Sequence, residues 1–407
     1  MLTLRSTLVS LIVPAVVWAL PTASAAADEA SSLCETSRQA LVHASRIRNL
    51  PTKEAVPCLV QDKSAVMGFI HETIRTDLPP QKLQMEEITY RAIGLIPDSF
   101  SYASKLVEFL ASQIGGYYDP KRKHFIMAAW LPASVQAGVA VHELTHALQD
   151  QHYNLRRILD GKSGTTDSDI AVSALIEGDA SAVMFDYERN KLGQPAIQNE
   201  PSIDALILVQ VLGASMGPIG GEIPDSLKGL LIFPYTSGLR FVHALLRNGG
   251  YNTVSDSYGR LPKSSREILH PHEYLAGTFQ PNIPQPSQIE GATESYLPEY
   301  SDVLGEFGIA SLLSGEAPSR AGASEAAQGW RGDRVGVFPL QSGKRLVSWL
   351  TRWESEVDAA QFYDAYRKFL LARYKKDLPT SWTELTAAKS GRITVAGSDV
   401  SVQFLVQ

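Results

Sequence analysis

Residues 142–146 read His-Glu-Leu-Thr-His, and the chain's clearest chemistry is concentrated there. In an α-helix, residues four apart share one face. His142 and His146 can therefore aim both imidazoles at one ion, with Glu143 in reach of a water on that ion. Zinc suits imidazole ligands and lowers the pKa of its bound water toward neutrality, where a carboxylate can take the proton. Val139, Val141, Leu144, Ala147 and Leu148 flank the motif and predict a largely buried helix.

A hydrolytic zinc site needs a third protein ligand and an open position. Two candidates compete. Glu177 interrupts the apolar run Ala174-Leu175-Ile176-Glu177-Gly178-Asp179-Ala180 on the next long helix. Gly178 costs about 1 kcal/mol there relative to Ala, a cost explained by close approach of the His-Glu-Leu-Thr-His helix or the metal. His152 is the second candidate, on a three-histidine spacing with Met216 as a methionine turn. That arrangement needs the chain to turn sharply at Gln149, which has no easy access to positive φ. If the helix continues, His152 lies about 15 Å along the axis from His142.

Hydrolysis of an acyl bond develops charge on oxygen and wants a fixed donor. Tyr235, His270, His272 and Arg240 are candidates, with His270 favoured because it ends a short helix before Pro271. Arg331-Gly332-Asp333 spells an adhesion tripeptide and reads as a coincidence in a turn. Serine, cysteine and phosphate chemistry find no support, since neither a G-x-S-x-G elbow nor a P-loop occurs.

With its downstream helical Glu177, the motif resembles the gluzincin branch of the zinc metallopeptidases. More closely, the chain resembles a poorly characterised group of exported bacterial metallopeptidases. The matching segments are His142-ELTHALQDQ-His152, Ala174-LIEGDA, Phe233-PYTSG, Ser264-SREILH-Pro271 and Gly329-WRGD. The resemblance implies Glu143 as general base and Glu177 as third ligand. It also implies an edge strand, His124 to Met127, that pairs with an extended peptide. One position departs from the pattern. Many gluzincins place an Asp four residues after the ligand Glu, where this chain has Ser181. Asp179 instead stands two residues on, facing away from Glu177 on a helix.

The elements around these residues read as α+β: a helix-rich, zincin-like unit with a small C-terminal α+β unit. Residues 1–25 have the pattern of a signal peptide, with Arg5, an apolar run Leu8–Leu20 and small residues from Ala23. This predicts an exported, periplasmic or secreted protein with no stable membrane span after cleavage. Cys34 and Cys58 are the only cysteines, and in an oxidising compartment they are expected to pair. Residues 28–279 form the expected catalytic domain, its part 28–110 helical. Residues 280–300 read as a Pro-rich linker and 301–407 as the C-terminal unit.

Helices are expected over Ser64–Thr76, Gln84–Tyr90, Tyr102–Ile114, Pro132–His152, Asp167–Leu192, Ser237–Arg247 and Glu356–Tyr374, with a Ser264/Glu267 capping box. Gly115–Tyr118 and His124–Met127 read as a hairpin, and Ala205–Leu212 as buried core. Charged residues make up 20% of the chain and the net charge is −6 without a basic block, which argues against nucleic acid as a partner. The expected function is zinc-dependent peptide-bond hydrolysis on a peptide or protein. The alternatives are a non-catalytic zinc-containing binding module of the cell envelope and a zinc hydrolase of non-peptide amides.

Overall fold

A computed structural model describes residues 23–77, 79–112, 115–161, 164–215, 222–285, 297–316 and 319–407. Most of the expected signal segment and Met216 lie outside them. The chain is α+β, with fourteen helices and nine strands among the described residues. The first half runs α1 (Ala23–Arg48), β1 (Cys58–Gln61), α2 (Lys63–Asp77), α3 (Pro80–Ile93), α4 (Tyr102–Ser112), β2 (Gly116–Asp119), β3 (His124–Ala128), α5 (Ala133–Tyr153), α6 (Leu155–Asp160) and α7 (Thr166–Lys191). Then come α8 (Asp204–Ser215), α9 (Asp225–Ser257), α10 (Ser265–Leu269), α11 (Pro271–Ala276), β4 (Tyr300–Asp302), α12 (Gly305–Ser314) and α13 (Arg320–Glu325). The chain closes with β5 (Trp330–Pro339), β6 (Arg345–Trp353), α14 (Glu356–Tyr374), β7 (Thr383–Thr386), β8 (Lys389–Ala396) and β9 (Asp399–Val406).

Three helices form the frame of the site. α5 runs through Gln149 to Tyr153 and stops at Asn154, whose left-handed φ of 57° ends the helix while its side chain caps α6 through Arg157 N–H. α7 opens on Thr165, whose hydroxyl accepts from Ser168 N–H. It closes at Gly193, with φ of 67°. There Gln194 N–H reaches Arg189 O and Gly193 N–H reaches Asn190 O, the paired bonds of a Schellman ending. α9 breaks at Gly249-Gly250. By length and composition α9 could cross a membrane, but 72% of its apolar window is buried inside the fold. It is the central core helix.

α7 and α9 cross with their backbones touching. A Cβ on Gly178 would lie 2.2 Å from Gly238 O, and one on Gly238 would lie 2.3 Å from Ala174 O. The close approach that explains Gly178 is therefore to α9, not to α5 or a metal.

Beside α5 lies a three-stranded sheet of order β1-β3-β2. The hairpin is as expected, closed by Asp119 Oδ1 accepting from Lys121 and Arg122 N–H. β3 is the middle strand, flanked by antiparallel β2 and parallel β1. The edge-strand expectation for His124–Met127 is thus corrected: β1 claims its other side. Cys34 and Cys58 form a disulfide that ties α1 to β1.

The C-terminal unit is a six-stranded antiparallel sheet, β4-β5-β6-β9-β8-β7, with α14 across it. Its core is continuous with that of the helices, one cluster extending from Tyr90 to Phe404. At the start of the expected linker, Asn282 N–H bonds Arg331 O of β5, and residues 286–296 lie outside the described residues. Asp333 of the Arg-Gly-Asp tripeptide sits in β5 with no exposure. Its carboxylate accepts from Leu304 and Gly305 N–H and from the indoles of Trp330 and Trp349. It is a strand residue that binds the start of α12, not a surface turn. α8 also departs from expectation: Leu208 and Val209 are 55% and 62% exposed. The capping box is half formed: Glu267 reaches back to the Ser264 and Lys263 N–H groups, while the Ser264 hydroxyl is buried without a partner among the described residues.

Candidate metal centre

The helical period carries His142 and His146 onto the same face of α5, and α7 brings Glu177 against them. His142 Nε2 lies 3.2 Å from Glu177 Oε2 and 3.1 Å from His146 Nε2. His146 Nε2 lies 3.5 Å from the same carboxylate oxygen. One ligand atom from each residue falls within 4.8 Å of the others, and all three residues are buried. Two imidazole nitrogens and a carboxylate oxygen converging this closely are a set of lone pairs that a cation can bridge. The buried group His142, His146 and Glu177 can hold a metal ion.

Burial pushes the His142 imidazole down to about 4, outweighing its bond to Glu177, so its ring is neutral near pH 7. Burial also pushes Glu177 upward, but His146 and His142 outweigh it and hold the carboxyl below its ordinary value. His142 and Glu177 are thus in their coordinating forms.

Glu143 is fully buried on the same helix, and its Oε2 accepts from Tyr118 N–H at 3.0 Å. The Tyr118 amide faces away from β3, because Tyr118 pairs with Phe125 and Phe125 N–H is spent on Pro57 O across β1. β2 is the outer strand of this sheet, and its outward Tyr118 amide is taken up by the general-base candidate. Tyr235, on α9, hydrogen-bonds Glu177, and burial followed by the charges of Glu177 and Glu143 raises its phenol well above the ordinary value. It is a protonated donor beside both carboxylates.

The structure gives His270 and His152 other partners. His270 Nε2 lies 2.7 Å from Glu306 Oε1 on α12, and that hydrogen bond raises its pKa. Arg266 joins the cluster from α10. His152 Nε2 bonds Pro51 O at 2.8 Å at the far end of α5.

Gln149 and Arg48 belong to the surroundings of the site and were not expected there. Gln149 Oε1 lies 2.8 Å from His146 Nδ1, and its Nε2 donates to Asp179 Oδ2 and Ile176 O. Asp179 is paired with Arg48 Nε at 2.6 Å and accepts from Tyr258 OH. Asp179 thus reaches a histidine through Gln149 and not directly. The available signal was the spacing: Gln149 stands three residues after His146 on a buried helix, where side chains meet.

A domain of unknown function (DUF8575) matches residues 295–404. That stretch covers the six-stranded sheet and α14 and excludes the metal-site residues. No curated protein matches the chain, and no solved structure matches it.

Proposed function

We propose that this chain is an exported zinc metallopeptidase whose α5–α7 frame and three-stranded sheet make up a zincin-like catalytic unit of the gluzincin type. The observation that carries the proposal is the convergence of His142, His146 and Glu177, with Glu143 held next to them. Zinc rather than another ion fits two imidazoles and one carboxylate on a rigid, buried frame. Bound there, zinc supplies a Lewis acid and a water that ionises near neutral pH.

The chain's own groups divide the remaining work. Glu143 accepts the proton of the attacking water and delivers it to the leaving amine. Tyr118 N–H holds Oε2 of Glu143 in place beside the ligand group. Tyr235 donates its hydroxyl to the oxyanion as charge develops, a role worth about 3–4 kcal/mol for one such donor. His142, Glu143 and His146 have no exposure, Glu177 is 6% exposed and Tyr235 is half-buried. A peptide therefore approaches from the Glu177 and Tyr235 side. The cysteine pair and the leader-like residues 1–25 support export.

The test is a peptide-library digest with and without chelator, on wild type and Glu143→Gln. The expected result is chelator-sensitive cleavage by wild type only, with zinc still bound in the variant. Turnover retained by Glu143→Gln sinks the mechanism.

A further inference from the structure

We infer that Gln149 is a positioning residue: its side-chain carbonyl fixes His146 in the tautomer with a bare Nε2, and Asp179 with Arg48 fixes Gln149. The inference rests on the metal-centre reading above and deepens it. A glutamine amide has one accepting end and one end with two donor hydrogens. Here both hydrogens are spent, Nε2 lying 3.0 Å from Asp179 Oδ2 and 3.1 Å from Ile176 O. Reversing the amide would set Oε1 against a carboxylate and a carbonyl, two acceptors facing a third. The amide therefore has one orientation, and Oε1 is left facing His146 Nδ1 at 2.8 Å.

An acceptor at that position requires a hydrogen on Nδ1. The lone pair of the ring then sits on Nε2, directed at His142 Nε2 and Glu177 Oε2. Asp179 cannot turn to release Gln149, because Arg48 Nε holds its other oxygen at 2.6 Å and Tyr258 OH shares Oδ2 at 2.9 Å. His146, Gln149 and Asp179 have no exposure and Arg48 has 1%, so solvent does not replace a lost bond. The histidine pair is unequal: His142 Nδ1 is buried without a partner among the described residues. His146 is preset to receive a metal, and the chain that presets it ends at Arg48 on α1, a distant part of the sequence. Partners of this kind typically alter metal affinity 10–100-fold when removed.

The test uses metal-free protein with 15N-labelled histidine. Long-range 1H–15N correlation reads the His146 tautomer, and competition with a chromophoric chelator reads zinc affinity. Wild type is expected to show Nδ1–H with a bare Nε2. Gln149→Leu, which keeps the volume and removes the acceptor, should mix the tautomers and weaken zinc binding about 10–100-fold. An Nε2–H form of His146 in wild type, or a Gln149→Leu affinity within about twofold of wild type, overturns the inference. If the variant does not fold, the wild-type spectrum decides alone. A wild type with the Nδ1–H form that takes up no zinc sinks the metal reading instead and leaves the tautomer assignment standing.

Discussion

Replacing Gly178 by Ala sets two effects of opposite sign against each other. An exposed helical Gly→Ala gains about 1 kcal/mol from propensity. At this position the new Cβ would stand 2.2 Å from Gly238 O, whereas ordinary contact begins near 3.4 Å, so α7 and α9 must separate by 3.4 − 2.2 = 1.2 Å. The obstacle is backbone on a buried helix, with no flexible side chain to yield. Overpacking of this kind costs about 1–3 kcal/mol, and rigid backbone puts this case at the upper end. The net expectation is a loss of about 2 kcal/mol. Function is affected at the same point, because Glu177 precedes Gly178 and Tyr235 lies one turn before Gly238. Separation of the helices pulls apart the Glu177–Tyr235 pair. Urea unfolding in chelator measures the stability term, and zinc competition measures the displaced ligand, expected to weaken about tenfold. Gly238→Ala, blocked at 2.3 Å by Ala174 O, should behave alike. A Gly178→Ala protein about 1 kcal/mol more stable than wild type, as propensity alone predicts, would refute the argument.

Two further outcomes follow from other buried charges. Arg48→Met leaves Asp179 with its Gln149 and Tyr258 donors but no cation, at 0% exposure, and should cost about 3–5 kcal/mol in urea unfolding. A loss under 1 kcal/mol would show that the pair is not needed. Asp167 is pushed up to about 8, chiefly by burial, with Asp333 and Glu306 adding to it. Folded protein keeps a proton that the unfolded chain releases above its ordinary carboxylate pKa. The stability from this group is therefore full below about pH 4 and lost as pH rises toward 8, at no more than about 1.4 kcal/mol per pH unit. Asp167→Asn should flatten unfolding free energy over that window; an unchanged slope assigns the dependence elsewhere.

The parts of this molecule that follow local rules were legible in sequence. The His-Glu-Leu-Thr-His helix, the continuation of α5 through Gln149, the Gly193 ending of α7, the β2–β3 hairpin and α14 each depend on neighbours within a few residues. Glu177 was legible as a charged interruption of an apolar helix. What stayed hidden depends on distant partners. β1 joins β3 only through a parallel pairing from 67 residues upstream (Cys58 with Phe125), which removes β3 from the edge. Asp179 looked misplaced because its partner Arg48 is 131 residues away. His270 looked suited to catalysis by its position before Pro271, yet Glu306 on a later helix claims it. Arg-Gly-Asp suggested a turn until β5 extended across it and four N–H groups converged on its carboxylate. α8 is apolar in composition, but its outer face meets no other described element strongly enough to cover Leu208 and Val209.

The central claim is that one metal ion is held by two histidines of α5 and one glutamate of α7. X-ray absorption on zinc-loaded protein, read beside zinc stoichiometry in His142→Ala, His146→Ala, Glu177→Gln and His152→Ala, tests it most directly. The account predicts one zinc per chain in a shell of two imidazoles and oxygen, lost in the first three variants and unchanged in His152→Ala. A third imidazole in the shell with zinc lost from His152→Ala, or no stoichiometric zinc in wild type, would contradict it.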